Sequence, residues 1–361
     1  MESTQAAANT MPNTILIIRL SAIGDVIMAS AILPALKSKY PNSRLVWLAE
    51  PAAASLLSDH PLIDKLIILP RAQWRALKQQ KQYRALYQAV NLFIRELKQQ
   101  KIDWAIDLQG LLKSGIWAWL SRAKRRIGLG SKEASQWLMT ECVKRVADDP
   151  RMCSEYQDMA EYLGLYTQNF EMSMPVSESE SEAANSILQA QGYENQQKFV
   201  VFCPFTTRAQ KHWIDQYWLA LAKRFAELNW PVVILGGPSD AAHAERLSRQ
   251  ISHTNTVLNL TGKTSLKQAA SVIKQANLLI GVDTGLTHMG IAQKTPTLAI
   301  FGSTFPYTDT QCETAKVVYK KQACAPCRRT PICDGAFTCM WQVTPDMVWQ
   351  QAKYVIKEKV S

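Results

Sequence analysis

Short apolar runs alternate with helical patterns along the first half of the chain. The apolar runs predict strands at Thr14–Arg19, Arg44–Ala49, Lys65–Leu69, Trp104–Leu108 and Arg126–Leu129. Helices are predicted between these runs, among them Val26–Tyr40 and Tyr83–Gln100. Such alternation is typical of a parallel sheet that is covered by helices on both faces.

The second half repeats this pattern. Strands are predicted at Phe199–Cys203, Val232–Gly236, Val257–Leu260, Leu278–Val282 and Leu298–Phe301, and helices at Trp213–Leu228, Ala241–Ser252 and Ser265–Ala276. A polar stretch at 165–182 indicates a linker between two domains. We therefore predict an α/β protein with two Rossmann-like, doubly wound parallel-sheet domains, at 1–170 and 171–343, facing across a cleft. A last helix, about Pro345–Lys357 within 344–361, could pack back on either domain, including the N-terminal one.

Length and composition agree with two soluble domains. The chain has 361 residues, 47% of them hydrophobic and 20% charged. No apolar run has the length needed to cross a bilayer, and the run before Arg19 is too short for the core of a signal peptide. These features predict a cytoplasmic protein. Its eight cysteines are then expected to be reduced thiols or metal ligands rather than a disulfide framework.

The net charge of +11 is concentrated in one stretch. Between Arg71 and Arg126 there are 13 Lys and Arg against three acids, with aromatic residues interleaved. The pattern fits an anionic membrane surface or a phosphorylated lipid. It also fits nucleic acid, although no nucleic-acid module is recognisable, and it fits plain solvated helix faces.

Two glycine-containing turns carry the first candidate chemistry. One is Leu20-Ser21-Ala22-Ile23-Gly24-Asp25, and the other is Gly281-Val282-Asp283-Thr284-Gly285-Leu286-Thr287-His288. Each follows an apolar run and opens a predicted helix, whose first N–H groups attract an anion. The two turns therefore indicate two parts of one ligand cleft. Asp25 is a candidate general base, since no nearby residue obviously pairs with it, but from position alone helix capping is the favoured role of an Asp there.

Two further turns add groups suited to a nucleotide. Thr206, Thr207, Arg208 and Lys211 follow a strand and could hold a diphosphate without a metal. The amides of Thr284, Gly285 and Leu286 could face phosphate oxygens, with His288 as a donor or simply a packed side chain. Asp240 could bind a ribose hydroxyl. These turns lack GxGxxG and GxxxxGK[ST], which argues against NAD and P-loop nucleotides.

A cysteine cluster near the C-terminus is the remaining constellation. Its members are Cys324, Cys327, Cys333 and Cys339. Four thiols so close in sequence could form a structural zinc site, but only one CxxC pair is present, so we favour no metal.

Four segments together resemble the lipopolysaccharide heptosyltransferases, glycosyltransferase family 9. They are Arg19–Val26, Asp107–Ser114, Thr206–Trp213 and Val282–His288. The Thr-Thr-Arg…Lys-His-Trp form is more similar to heptosyltransferase I than to heptosyltransferase II. The chain departs from the heptosyltransferase I pattern in its cysteine-bearing tail and in Pro204-Phe205.

The resemblance implies a GT-B fold and inverting transfer of L-glycero-D-manno-heptose from ADP-heptose to the Kdo region of lipid A. It implies Asp25 as the general base, and Lys211 with Thr206 and Thr207 at the departing diphosphate. The remaining donor contacts would be Asp240, Asp283, Thr284, Gly285, Leu286 and His288, and the acceptor contacts Gly24, Gln109 and Lys113. No metal cofactor is expected. The basic aromatic stretch would then contact the inner membrane, which carries the anionic glycolipid, and nucleic acid is not an expected partner.

Two other classes of function stay open at this point. One keeps the fold and changes the donor, for example to a UDP-linked N-acetylhexosamine, or uses a later heptose acceptor. The other is a non-catalytic basic protein that binds a membrane or nucleic acid, which the paired glycine turns disfavour.

Overall fold

The computed structural model describes residues 11–165, 170–194, 197–327 and 330–357. The chain divides into two compact units. The first consists of Met1–Ala147 and Cys153–Ser173, and the second of Asp148–Met152 and Met174–Ser361. The main boundary thus falls three residues beyond the expected one at 170. The short segment 148–152 joins the second unit through a bridge between Arg151 and Asp309.

The first unit is built on a six-stranded, fully parallel sheet with the order β3-β2-β1-β4-β5-β6. Its strands are β1 (Thr14–Ile18), β2 (Arg44–Ala49), β3 (Lys65–Ile68), β4 (Trp104–Asp107), β5 (Arg125–Leu129) and β6 (Glu141–Val143). Its helices are α1 (Ile23–Ala29), α2 (Ile32–Lys39), α3 (Pro51–Leu57), α4 (Arg71–Gln79), α5 (Tyr83–Gln99), α6 (Leu112–Leu120) and α7 (Ser154–Tyr162).

The second unit has the same construction, with a parallel sheet in the order β12-β11-β10-β7-β8-β9. Its strands are β7 (Val200–Cys203), β8 (Val232–Ile234), β9 (Val257–Asn259), β10 (Leu278–Val282), β11 (Thr297–Phe301) and β12 (Ala315–Tyr319). Its helices are α8 (Glu178–Ala190), α9 (Asp215–Ala226), α10 (Ala241–Ile251), α11 (Leu266–Gln275), α12 (Gly285–Ala292), α13 (Thr338–Trp341) and α14 (Pro345–Lys357). The predicted pair of doubly wound sheets is confirmed.

The central strands are continuous apolar runs because helices cover both faces of each sheet. Every residue of β1 and of β10 is buried. The helix predicted at Val26–Tyr40 is instead two helices, α1 and α2, that are separated at Ser30 and Ala31. Pro34 accounts for the break, since its ring would clash with the carbonyl of Ser30 in a continuous helix.

Three other features were mispredicted, missed or left open by the sequence. The polar linker ends earlier than expected, because Ser177 accepts a hydrogen bond from the Glu180 N–H and starts α8. Residues 166–169 of that linker lie outside the described residues. The short edge strands β6 and β12 were not predicted. Helix α14 packs on α9, β11 and β12, all within the second unit.

Within the described ranges, no helix is long and apolar enough to cross a membrane.

The strand order defines one edge of each sheet where a ligand is expected. In both sheets the chain runs outward from a central strand, then returns to place its fourth strand on the other side of that strand. Loops leaving the two central strands diverge there, and open α/β sheets bind ligands at such a point. In the first unit the loops follow β1 and β4, and in the second they follow β7 and β10. All four motif segments lie in these loops.

Candidate active site

Asp25 lies in the first turn of α1, directly beyond β1. Its Oδ2 accepts a hydrogen bond from the Ala22 N–H at 3.1 Å and forms an ion pair with Arg19 Nη2 at 2.6 Å. The interpretation that nothing nearby pairs Asp25 is therefore wrong. Arg19, at the end of the same strand, reaches back over the turn to the carboxylate.

Arg19 is buried and held from several sides. Its Nη1 donates to the Leu108 carbonyl at 3.0 Å, and its guanidinium lies 5.8 Å from the ring centroid of Tyr156. Burial alone would lower the pKa of Arg19, but the interactions with Tyr156, Asp25 and Glu155 outweigh burial and raise this pKa above its ordinary value. The guanidinium is thus a fixed positive charge beside Asp25.

The two oxygens of Asp25 have different surroundings. The hydrogen bond from Ala22 and the ion pair with Arg19 both use Oδ2. The side chain is 37% exposed, and within the described parts of the chain no hydrogen bond reaches Oδ1. One oxygen therefore fixes the carboxylate in place while the other is available to a ligand. Capping and proton acceptance, which the sequence presents as alternatives, are compatible.

The loop after β4 is organised by a buried carboxylate. Asp107 accepts from the amides of Gln109 and Gly110 at 3.0 and 3.1 Å, and from Ser114 Oγ at 2.9 Å. Burial raises the pKa of Asp107 to about 6, although these hydrogen bonds favour the ionised form. Gln109 Oε1 in turn accepts from the Leu20 N–H at 3.0 Å. The loops after β1 and β4 are therefore fixed to one another.

The structure places the expected acceptor residues in these same two loops. Gly24 precedes Asp25 in α1, Gln109 is buried with its side-chain oxygen bonded to Leu20, and Lys113 is half-buried in the first turn of α6. Their acceptor-binding role stays a prediction.

In the second unit, three loops meet at the carboxylate of Asp283. Lys211 Nζ, from the loop after β7, lies 2.5 Å from Asp283 Oδ2. Thr304 Oγ1, from the loop after β11, donates to the same oxygen at 2.6 Å. Because β7, β10 and β11 are neighbours in the sheet, residues far apart in sequence converge on one group. The Lys211 and Asp283 side chains are 16% and 13% exposed.

The other oxygen of Asp283 faces His288. The distance from His288 Nε2 to Asp283 Oδ1 is 3.3 Å, while Nδ1 is buried and has no partner among the described residues. Burial disfavours ionisation of Asp283, but His288 and Lys211 outweigh this effect and hold the pKa of the carboxyl well below its usual value. Asp283 is therefore a permanent anion that holds Lys211 in position.

Close packing brings the start of α12 onto this loop. A Cβ at Gly281 would lie 2.1 Å from Thr287 Oγ1 and 3.0 Å from Cys203 Cβ, so only glycine fits there. Thr287 Oγ1 donates to the Val282 carbonyl at 2.6 Å. The helix begins at Gly285 with Thr284 in extended conformation before it. The first N–H groups of α12, near Lys211, have no partner within the helix and suit an anion.

The remaining donor residues lie at the same edge of the second sheet. Thr206 and Thr207 follow β7, and His212 Nε2 lies 2.9 Å from the Thr206 carbonyl, which fixes that loop. Asp240 follows β8, where its Oδ2 accepts from the Gly237 N–H at 2.8 Å. This hydrogen bond gives Asp240 a local structural role. The contact of Asp240 with a ribose and the contacts of Leu286 with a ligand stay predictions.

All eight cysteines are free thiols. Cys327 Sγ donates weakly to the Ser303 carbonyl at 3.8 Å, next to Thr304. Burial and the neighbouring thiols raise the pKa of Cys327 and of Cys339. Within the ranges that the structure describes, no group of three or more His, Cys, Asp or Glu side chains is arranged to hold a metal ion.

Sequence reasoning missed two residues of these sites, Arg19 and Thr304. Arg19 stands inside the quoted motif, and its charge six positions before Asp25 was the available signal. Thr304 had no such signal, because its contact with Asp283 depends on β11 lying beside β10.

Comparison with solved structures identifies the fold. A glycosyltransferase of family 9 from Veillonella parvula matches with a TM-score of 0.79 at 22% identity, over 96% of this chain and 97% of that one. The structure of the ADP-heptose heptosyltransferase II of Escherichia coli matches with a TM-score of 0.75 at 20% identity, over 96% of this chain and 100% of that one. The fold is therefore that of the GT-B glycosyltransferases, as predicted.

Sequence comparison gives the family. The family model for glycosyltransferase family 9 (heptosyltransferase) matches residues 90–333. Heptosyltransferase 1 of Pseudomonas aeruginosa is 28% identical, over 92% of this chain and 89% of its own length. The core heptosyltransferase OpsX of Haemophilus influenzae is 24% identical, over 80% and 79%. Named relatives include both type 1 and type 2 enzymes. The chain belongs to glycosyltransferase family 9 and is a glycosyltransferase.

The raised pKa of Asp107 predicts a pH-dependent stability. The folded-state pKa of Asp107, about 6, lies above the pKa of an Asp in the unfolded chain. The stability that Asp107 contributes is therefore complete below about pH 4 and is lost as the pH rises through 6. Between pH 5 and pH 7.5 the unfolding free energy of the wild-type protein should therefore fall by about 1 kcal/mol more than that of Asp107→Asn. Urea unfolding at both pH values measures this difference.

Asp64→Asn is the matched control for that experiment. The pKa of Asp64 is lowered, because hydrogen bonds from Leu45 and Lys37 outweigh its burial. Asp64 is therefore ionised in both states above pH 5, and its replacement should leave the slope unchanged. Equal slopes for Asp107→Asn and wild type would contradict the burial of an ionisable Asp107.

Thr304→Val tests the convergence on Asp283. The substitution removes a hydroxyl that donates to a buried carboxylate, so the unfolding free energy should fall by about 2 kcal/mol. Thr254→Val removes a hydroxyl that donates to the neutral Ile251 carbonyl and should cost about 1 kcal/mol or less. Denaturant unfolding compares them. A loss at Thr304 no larger than at Thr254 would contradict the proposed contact.

Proposed function

We propose that this glycosyltransferase moves L-glycero-D-manno-heptose from ADP-heptose to the Kdo region of lipid A, with inversion at the anomeric carbon. The observation that carries this proposal is the largely buried Lys211–Asp283 pair beside the start of α12. Family membership and the heptosyltransferase relatives support the choice of sugar and donor.

The second unit supplies groups that stabilise a departing diphosphate. When the bond from the anomeric carbon to the diphosphate breaks, negative charge develops on the leaving oxygen. Lys211 is held by Asp283 in advance, so little reorganisation is needed to meet that charge. The amides at the start of α12 and the hydroxyls of Thr206 and Thr207 provide further donors.

The first unit supplies the base. The acceptor hydroxyl attacks the anomeric carbon, and its proton passes to Asp25, whose Oδ1 is open to a ligand. Arg19 keeps the carboxylate oriented before the reaction, since it is a fixed positive charge at Oδ2. Capping of α1 by the same side chain limits its motion. Asp25 is thus positioned for general-base catalysis.

The reaction needs no metal in this proposal. Divalent cations are bound by free carboxylate oxygens, and both oxygens of Asp283 are already engaged by Lys211, Thr304 and His288. Lys211 takes the place that a cation has in metal-dependent transferases. We also propose that the cysteines of the tail bind no metal.

The acceptor is proposed to be Kdo-bearing lipid A, at the cytoplasmic face of the inner membrane. A later heptose acceptor is the alternative, and heptosyltransferases of type 2 are among the relatives. The Thr-Thr-Arg…Lys-His-Trp segment supports the type 1 step. Gly24, Gln109 and Lys113 are proposed to contact the acceptor sugar.

Asp25→Asn tests the central role of the base. In a mass-detected assay with ADP-heptose and Kdo-bearing lipid A, the turnover rate should fall about a thousandfold, which is typical for loss of a general base. Asp103→Asn is the matched control, since Asp103 caps the backbone at Asn13 and Thr14 and should leave turnover near wild type. Full activity of Asp25→Asn would remove Asp25 from the mechanism.

Two further arms of this assay separate the alternatives. A chelator should leave the wild-type rate unchanged, and a loss that Mg²⁺ restores would overturn the proposal of metal independence. In thermal unfolding, ADP should raise the melting temperature and UDP should not. Stabilisation by UDP alone would point to a UDP-linked sugar as the donor.

A further inference from the structure

We propose that Tyr156, in the first turn of α7, is a positioning residue for the base of the transfer reaction. Its ring lies against the guanidinium of Arg19 and holds that cation at Asp25. The inference rests on the proposed function, because it concerns the reaction in which Asp25 accepts a proton. It adds a third element, α7, to the loops after β1 and β4 that form this part of the first unit.

The guanidinium of Arg19 has few hydrogen-bond partners for a buried cation. Its Nη1 donates to the Leu108 carbonyl at 3.0 Å, and its Nη2 lies 2.6 Å from Asp25 Oδ2. Its Nε is buried and has no partner among the residues that the structure describes. Burial of a charge with an unpaired donor is costly, so any further favourable contact helps to decide where the guanidinium lies.

The ring of Tyr156 supplies such a contact. Its centroid lies 5.8 Å from the guanidinium carbon of Arg19, within the range of a cation–π interaction. Tyr156 is fully buried, and the attraction between a cation and a ring is strongest where water is excluded. This attraction therefore adds to the two polar contacts that fix the guanidinium.

Helix α7 holds the ring in place. The helix packs on α2, β5 and β6, and the Tyr156 N–H donates to the Cys153 carbonyl at 2.8 Å. Two residues further along α7, the carboxylate of Asp158 accepts from the Val146 N–H at 2.8 Å. A ring that is held in this way limits the rotamers open to Arg19. The orientation of the carboxylate paired with Arg19 therefore depends on the ring.

The hydroxyl of Tyr156 has no part in this role. It is buried and has no hydrogen-bond partner in the described parts of the chain. Burial also raises the pKa of Tyr156 well above its usual value, so the phenol stays neutral and is not an acid or a base for the reaction. The ring alone carries the proposed role, and Tyr156→Phe is therefore expected to differ from Tyr156→Leu.

Steady-state kinetics of the full-length protein with ADP-heptose and Kdo-bearing lipid A test the proposal. Tyr156→Leu should lower kcat about tenfold, in the range of one desolvated cation–π contact, because Asp25 loses its fixed orientation. The KM for ADP-heptose should change less than about twofold, since the proposed donor contacts lie in the second unit. Tyr156→Phe keeps the ring and should keep kcat within about twofold of wild type.

Tyr40→Leu is the matched control. Tyr40 is a buried tyrosine of the same unit, and its ring packs edge-on against Trp104 at 5.4 Å between centroids. A cation also lies near this ring, with Lys39 Nζ 5.5 Å from the centroid. Tyr40→Leu should lower the urea midpoint of unfolding, as Tyr156→Leu does, but it should leave kcat near wild type. Urea unfolding of both variants separates lost stability from lost positioning.

Two double variants show whether Tyr156 acts through the ion pair. In Asp25→Asn, addition of Tyr156→Leu should change the residual turnover less than about twofold, because the base is already absent. In Arg19→Met, addition of Tyr156→Leu should lower the urea midpoint less than it does in wild type, because the cation–π contact is already lost. The second comparison uses no substrate, so it decides the inference even if the wild-type protein transfers no heptose and the proposed function fails.

Three results would overturn the proposal. One is a wild-type kcat in Tyr156→Leu, or a loss of equal size in Tyr40→Leu. Another is a Tyr156→Phe variant as impaired as Tyr156→Leu, which would assign the role to the hydroxyl. The third is full additivity in either double variant, which would make Tyr156 a packing residue only.

Discussion

The largely buried, ionised carboxylate of Asp283 is the constraint on which the second site depends. A charge in that position is stable only if it is paired and hydrogen-bonded, and removal of one partner from such a pair is strongly destabilising. Lys211 and Thr304 share one oxygen, and His288 faces the other. As a result, the loops after β7, β10 and β11 are fixed with a cation beside the start of α12. The chemistry proposed for the leaving group follows from that arrangement.

The first unit reaches a comparable result with the charges reversed. There the buried cation Arg19 fixes a partly exposed anion, Asp25, whereas in the second unit a largely buried anion, Asp283, fixes the cation Lys211. In both units the pair lies at the end of a central strand, where doubly wound sheets leave loops diverging. The same topology occurs twice along the chain. It therefore holds the proposed base in one unit and the proposed anion site in the other.

The periodicity of the sequence predicted both sheets and all four site loops, because buried parallel strands are recognisable apolar runs and glycine marks the close turns. It did not predict the division of α1 from α2, although Pro34 was visible, nor the edge strands β6 and β12, which are short or half-exposed. Among the candidate site residues, Asp25, Lys211 and Asp283 were predicted from their motifs, and their catalytic and binding roles stay predictions. The partners Arg19 and Thr304 were not, since ion pairs and hydrogen bonds between loops depend on strand order and not on local pattern.

The most direct measurement compares ADP and AMP binding to wild type and Lys211→Met by titration calorimetry. If Lys211 is held for the diphosphate, its loss should weaken ADP binding by about ten- to a hundredfold, in the range of a charge-assisted hydrogen bond. AMP, which lacks the β-phosphate, should lose much less, and Lys263→Met should leave both affinities unchanged. An ADP affinity that Lys211→Met does not reduce, or an equal loss for ADP and AMP, would contradict the account.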